Sequence, residues 1–194
     1  MSTITVEAAL AADHAATENL LDLTFGLSRW AKTSYRLREG NVAVAGLSLV
    51  TREAGFGLTG AISFWPLKIG HAGADALLLG PLAVHPERQN IGIGRALMKT
   101  GLDKAKSLGH RLVILVGDEP YYARVGFQRV PYDQLEMPGP VDPDRLLYLE
   151  LAKGALAEAH GLVLPPHRFT ELSASFAIPH GGKGHQQQAQ AAQG

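Results

Sequence analysis

Two apolar runs, residues 76–84 and Leu112–Val116, flank a stretch whose apolar side chains recur at helical spacing, and this constrains the fold more than any other feature of the chain. The first run is apolar at almost every position, which predicts a strand buried on both faces. Between the runs, Leu97, Met98, Gly101, Leu102, Ala105 and Leu108 form one stripe, while Arg95, Lys99, Asp103 and Lys106 face away. Gly109 is placed to end that helix over residues 94–108. Strand, amphipathic helix and strand in succession is a βαβ unit, which requires a parallel pair inside the sheet. The pair Gly80-Pro81 interrupts the first strand: proline donates no ladder hydrogen bond, so a bulge or break in pairing is expected there.

Upstream the pattern differs. A short strand is expected at residues 4–6 and a helix at residues 13–24, with Asp13 as N-cap or first-turn acid and Ala16, Leu20, Leu23 and Leu27 on one face. A second short helix follows at residues 29–34. Residues 41–50 and 56–65 are β-rich and joined by a turn-like segment, which predicts an antiparallel hairpin. Downstream, a short helix is expected at residues 121–125 and strands at 127–130 and 146–151, separated by a proline-rich loop at 131–143, with an edge strand at 162–164. The expectation is therefore an α/β chain with a mixed, mostly antiparallel sheet, a central parallel βαβ unit and flanking helices. Residues 1–178 form one domain, and residues 179–194, rich in Gly, His and Gln, read as a low-complexity, disordered tail.

Composition excludes several functions. Eighteen Lys and Arg balance eighteen Asp and Glu, which argues against a nucleic-acid or anionic-membrane binder. With no cysteine, a disulfide, a thiolate metal site and a catalytic thiol are all ruled out, and a cytoplasmic location fits. No apolar run approaches the length of a membrane span, and the N-terminus lacks the basic start of a signal peptide. The eight histidines include no His-Glu-x-x-His pair, so no metal is expected. Trp30 and Trp65 read as core or cleft-wall residues.

Chemistry concentrates after the first strand, in Leu82-Ala83-Val84-His85-Pro86-Glu87-Arg88-Gln89-Asn90-Ile91-Gly92-Ile93-Gly94-Arg95. A polar loop with two glycines opens a helix, whose first N–H groups lack internal partners and sit at its positive end. Such a turn can cradle a pyrophosphate, or its glycines can serve packing alone. A P-loop is excluded because Gly94-Arg95-Ala96 does not supply Gly-Lys-Ser/Thr. A dinucleotide fold would need a third glycine where Leu97 stands, and the motif follows an antiparallel meander.

Gln89-x-x-Gly92-x-Gly94 resembles the Gln/Arg-x-x-Gly-x-Gly/Ala signature of the GNAT superfamily of acetyl-CoA-dependent N-acyltransferases, and Tyr122-Ala123-Arg124-Val125-Gly126-Phe127 resembles its Tyr-x-x-x-Gly-Phe element. The run Gly117-Asp118-Glu119-Pro120-Tyr121-Tyr122 is similar to a bacterial GNAT subgroup with a Gly-Asp-x-x-Tyr-Tyr pattern. The resemblance implies acetyl-CoA as co-substrate, with Gln89, Asn90, Gly92, Ile93, Gly94 and Arg95 around its pyrophosphate. It implies that Leu82, Ala83 and Val84 bond the pantetheine like an added strand, and that an N–H of Leu82 or Val84 stabilises the oxyanion. It also implies Tyr122 as the general acid toward the departing thiolate, and leaves Tyr121 to packing. The acceptor would be a small-molecule amine or a protein amino group, and free sheet edges allow a homodimer. The sequence departs from the family in two places. Leu77-Leu78-Leu79-Gly80 lacks the carboxylate many members carry, and Val116-Gly117-Asp118 lacks their Asn. Glu119, Asp118, His85 and Glu39 are the candidate bases, with relay through water the alternative. A non-catalytic acyl-CoA-binding or regulatory module is the competing reading.

Overall fold

A computed structural model describes residues 4–177. In chain order the elements are β1 (Val6–Ala8), α1 (His14–Phe25), α2 (Thr33–Arg36), β2 (Ser48–Glu53), β3 (Gly57–Ile69), β4 (Ala74–Val84), α3 (Ile93–Ser107), β5 (Leu112–Val116), α4 (Glu119–Tyr122), β6 (Gln128–Arg129), β7 (Leu135–Glu136), β8 (Leu146–Glu150), β9 (Gly161–Leu164) and α5 (Pro166–Ala177). Short 3-10 turns precede and follow α1, lead into α3 and β8, and extend α4 to Val125.

The main sheet runs β1-β2-β3-β4-β5-β8-β6, with β9 beside the far end of β3 and β7 beside β9. The expected βαβ unit is present: Leu77 and Leu78 of β4 pair in parallel with Val113 and Ile114 of β5, while the strands flanking that pair run antiparallel. Within β4 the side chains alternate between two cores, which is why its sequence reads as continuously apolar. Leu77 and Leu79 join Val113 and Leu115 beneath Leu97, Met98 and Leu102 of α3. Ala76 and Leu78 face the opposite side with Leu112, Ile114, Leu146 and Leu156. Fully burying one such leucine contributes about 2 kcal/mol of transfer free energy.

The expected interruption at Gly80-Pro81 is a bulge. Leu79 pairs with Phe64 and Leu82 with Ile62, so two residues of β4 stand against Ser63 alone. Trp65 donates its indole N–H to the Gly80 carbonyl at 2.7 Å, satisfying an acceptor that the ladder leaves out. The extra residue shifts the alternation by one: beyond it Leu82 and Val84 pack toward the α3 core, while Ala83 turns toward α1 with Val50 and Ala61.

Some expectations shift. The first strand begins at Val6, and residues 41–47 are irregular, whereas β2 runs on to Glu53 and shortens the hairpin turn. Leu23, Leu27 and Leu108 are exposed rather than on a packed stripe, because α1 buries only Leu20 and Leu21 and α3 stops short of Leu108. Asp13 does not cap α1; its carboxylate accepts from Leu10 N–H at 2.7 Å and pairs with Arg52 at 2.6 Å, bonds that hold it down to about 2. Trp30 is exposed beneath the Arg29 guanidinium, 4.2 Å from its ring centre. Helix α5 was not expected from the sequence; Pro166 opens it, and Phe169 seats against Gly73. The turn between β3 and β4 is tied to β9 by Gly70, whose N–H donates to the Leu162 carbonyl at 2.8 Å. The low-complexity tail lies outside the described residues.

Candidate functional site

Strands β4 and β5 pair only near Leu77 and Leu78; beyond these the two strands splay and open the sheet. One edge of β4 at Leu82–Val84 is paired to β3, and among the described residues no strand lies along the other. The main cavity opens there, with a volume of about 750 Å³, lined by Leu82 and Val84, by the loop and first turn of α3, and by α4 with its following turn.

Gln89, Asn90, Gly92, Ile93, Gly94 and Arg95 all line this cavity. Asn90 and Gly92 take left-handed conformations, φ 64° and 98°, and so turn the chain sharply into α3; at Gly92 a β-carbon would make that costly. The first helical bond runs from Ala96 N–H to Gly92 O at 3.0 Å, so the N–H groups of Ile93, Gly94 and Arg95 precede it and lack partners within the helix. Gln89 donates to the Val84 carbonyl at 3.4 Å and ties the loop back to β4. Ala83, the third strand residue expected there, does not line the cavity, because its side chain is turned the other way and buried under α1.

Tyr122 projects from α4 into the same cavity. Asp118 begins the turn, its carbonyl accepting from the N–H groups of Tyr121 at 3.0 Å and Tyr122 at 3.3 Å. Gly126, at φ 98°, sends Phe127 back beneath Tyr122, ring centres 5.9 Å apart. This explains the Tyr-x-x-x-Gly-Phe spacing. Among the described residues nothing hydrogen-bonds the Tyr122 hydroxyl, which is left facing the cleft. Burial pushes this phenol up to about 12, aided by Tyr121 and Asp118 and opposed by Arg145.

A second cavity, of about 230 Å³, lies on the other side of Tyr122 and shares Phe25, Leu82, Asp118, Tyr121 and Tyr122 with the first. The cleft thus passes through the splayed sheet, and Tyr122 faces both halves. Of the four carboxylate or imidazole candidates, Asp118 alone lines both halves, paired with Arg145 at 3.2 Å. Glu119 is turned to Arg129 at 2.6 Å. His85 lies edge-on to Phe56, ring centres 4.7 Å apart, and accepts from Glu87 N–H. Glu39 is exposed and lines neither half.

Three cleft residues escape sequence reasoning. Tyr121, read as packing, lines both halves with its hydroxyl against Gly94. Arg124 stands at the mouth with Arg95, neither ion-paired among the described residues. Arg38, from the turn after α2, enters the second cavity. A doubled tyrosine and a basic residue inside the second motif were the available signals for Tyr121 and Arg124; Arg38 had none.

A sequence model of the acetyltransferase (GNAT) domain matches residues 42–129. The uncharacterized N-acetyltransferase YhbS of Escherichia coli is 29% identical over 144 residues, which span 74% of this chain and 85% of that protein. The crystal structure of E. coli YhbS in complex with CoA superposes with a TM-score of 0.73 at 25% identity, covering 86% of this chain and 92% of the other. A GNAT family acetyltransferase from Brucella melitensis, in complex with acetyl-CoA, is 30% identical with a TM-score of 0.56, covering 76% and 96% respectively.

Proposed function

Because this chain belongs to the GNAT acetyltransferase family, we propose that its cleft binds acetyl-CoA in the larger cavity and transfers the acetyl group to an amine in the smaller one. The observation that carries this reading is the junction of the two cavities at Tyr122, with unpaired main-chain donors on one side of it. The fit to the donor is chemical. N–H groups at the start of α3 together with Arg95 and Arg124 suit a diphosphate, and the free edge of β4 suits the amides of a pantetheine arm. Acetyl-CoA supplies the thioester that the amine attacks.

The protein's residues then divide the work. An N–H of Leu82 or Val84 on the free edge donates to the thioester oxygen as charge builds there; such a donor is typically worth about 3 kcal/mol. Asp118 accepts the proton that the amine gives up and passes it to water through its exposed side. As the new C–N bond forms and the C–S bond breaks, Tyr122 stands over the departing sulfur. A phenol near 12 is a weak acid beside a thiol of about 8.5. Its part is therefore to hold the thiolate by a hydrogen bond while keeping its own proton, and the thiolate takes its proton from solvent. This reading sets the enzyme in the cytoplasm with its donor, acting on a small-molecule amine or a protein amino group, alone or as a homodimer. Among the described residues, no helix is long and apolar enough to cross a membrane.

Calorimetry with CoA, followed by thiol release from acetyl-CoA across an amine panel, tests the proposal. Saturable binding with amine-dependent release is expected; binding without release would leave a CoA-binding module instead. Arg95→Gln combined with Arg124→Gln should weaken CoA about tenfold at low salt, and the difference should shrink as salt screens the phosphates. The pH profile gives a further test. Tyr122 acts in its protonated form, which persists below a pKa of about 12. With an amine already neutral at about pH 8, the rate should stay level to about pH 10.5; a fall centred near pH 10, the ordinary phenol value, would contradict the assignment.

A further inference from the structure

Arg38 is positioned by two aromatic faces and, among the described residues, by no ion pair or side-chain hydrogen bond. Its guanidinium lies 4.0 Å from the Tyr35 ring centre and 4.9 Å from that of Trp65, and its Nε is buried without a hydrogen-bond partner. Among the described residues no carboxylate lies within ion-pairing distance of it. Shutting Nε off from water without a partner carries a cost that aromatic faces offset only in part, while the two terminal nitrogens stay accessible and without a hydrogen-bond partner among the described residues. Its surroundings are nevertheless firmly built. Arg29, 1% exposed, pairs with Glu18 at 2.6 Å and Asp22 at 2.8 Å and donates to the Tyr35 hydroxyl at 2.9 Å, so the ring beneath Arg38 is fixed from behind.

The smaller cavity into which Arg38 reaches carries Lys32 and Arg145 as well, against the single carboxylate Asp118, which Arg145 already neutralises. A bare diamine would meet uncompensated positive charge there. A planar guanidinium with unused donors matches a carboxylate, which can accept two parallel bonds. We propose that the acceptor is a small amine that also bears a carboxylate, and that Arg38 receives the carboxylate while the amine faces Tyr122. The cavity volume of about 230 Å³ favours a small molecule over a protein segment. Arg38 also forms part of the wall toward a neighbouring hollow lined by Ser48, Ser63 and Pro81 and by two carboxylates already ion-paired, Asp13 with Arg52 and Glu18 with Arg29, which gives a longer acceptor room to extend. The proposal rests on the acetyltransferase reading and deepens it. The surrounding cations also favour the neutral, nucleophilic form of the amine.

The test compares each amino carboxylate with its decarboxylated partner: L-lysine with cadaverine, β-alanine with ethylamine, L-phenylalanine with phenethylamine. CoA binding by the native chain is measured first, and its failure overturns the acetyltransferase reading together with this one. With saturating acetyl-CoA as donor, kcat/KM should favour the carboxylated member of at least one pair by about tenfold or more. The preference should fall to within about threefold in Arg38→Met and return in part in Arg38→Lys, with CoA affinity showing that both variants fold. No preference in any pair, or one that survives in Arg38→Met, overturns the inference while leaving acetyl transfer intact. If none of these amines turns over, calorimetry of each amino carboxylate against CoA-saturated protein decides. Binding that is lost in Arg38→Met supports the proposal; absent or unaltered binding overturns it.

Discussion

Replacing Tyr122 by phenylalanine is expected to lower kcat by about 10²-fold or more while CoA affinity stays near the native value. The substitution keeps the ring that packs edge-on against Tyr121 and Phe127, at 5.0 and 5.9 Å between centres, and removes only the hydroxyl. That hydroxyl faces the junction of the two cavities, away from the pyrophosphate-sized turn at Gly92 and Gly94. The loss should therefore fall on turnover alone. Steady-state rates with saturating acetyl-CoA, set beside calorimetry, separate the two effects. A rate equal to that of the native chain would remove Tyr122 from the mechanism, and a parallel loss of CoA affinity would mean that the ring, not the hydroxyl, matters. Tyr121→Phe is the natural comparison, because that ring lines the same cleft with its hydroxyl set against α3.

Gly70→Ala should give the largest loss of stability among single-methyl additions, about 3 kcal/mol. Two costs combine. Gly70 sits at φ +65°, a conformation in which a β-carbon costs roughly 1–2 kcal/mol. In addition, that carbon would run into the His160 carbonyl, which is main chain and cannot rotate aside. Relieving such an overlap typically costs about 1–3 kcal/mol more. Gly55→Ala isolates the first cost, since Gly55 has φ +77° but open space around the added carbon. Urea denaturation should place Gly55→Ala about 1 kcal/mol below the native chain and Gly70→Ala well below that, with m unchanged. Equal losses for the two variants would mean that β9 yields to the added methyl.

What the sequence displayed was whatever is local. The buried β4 and β5, the stripe on α3 as far as Ala105, the glycine turn at its start and the Tyr122-to-Phe127 spacing are each written within a few residues, and each occupies its expected place. The interruption at Gly80-Pro81 was legible for the same reason, since proline removes a donor wherever it sits. Arg38, Arg124 and Tyr121 were not legible, because their importance comes from what the fold sets opposite them: Trp65 and Tyr35 for Arg38, Gly94 for Tyr121. Exposure of Leu23, Leu27 and Leu108 was equally invisible. Helical spacing says which residues share a face, and says nothing of how far the neighbouring sheet extends beneath it. Helix α5 was legible in principle, since Pro166 can open a helix and Phe169, Leu172 and Phe176 recur at helical spacing; what the sequence does not show is that Phe169 seats against Gly73.

The unmatched residue at Gly80-Pro81 divides β4 into two phases. Before it, odd-numbered side chains meet α3; after it, even-numbered ones do. Deleting either residue would restore a regular ladder and, with it, exchange the two sides of everything downstream. Ala83 would then look into the cleft, and Leu82 and Val84 would be driven into the space beneath α1 that a methyl group now fills. The cleft wall is in this sense a matter of parity: its side chains face the donor cavity because the strand carries one residue more than its partner can count.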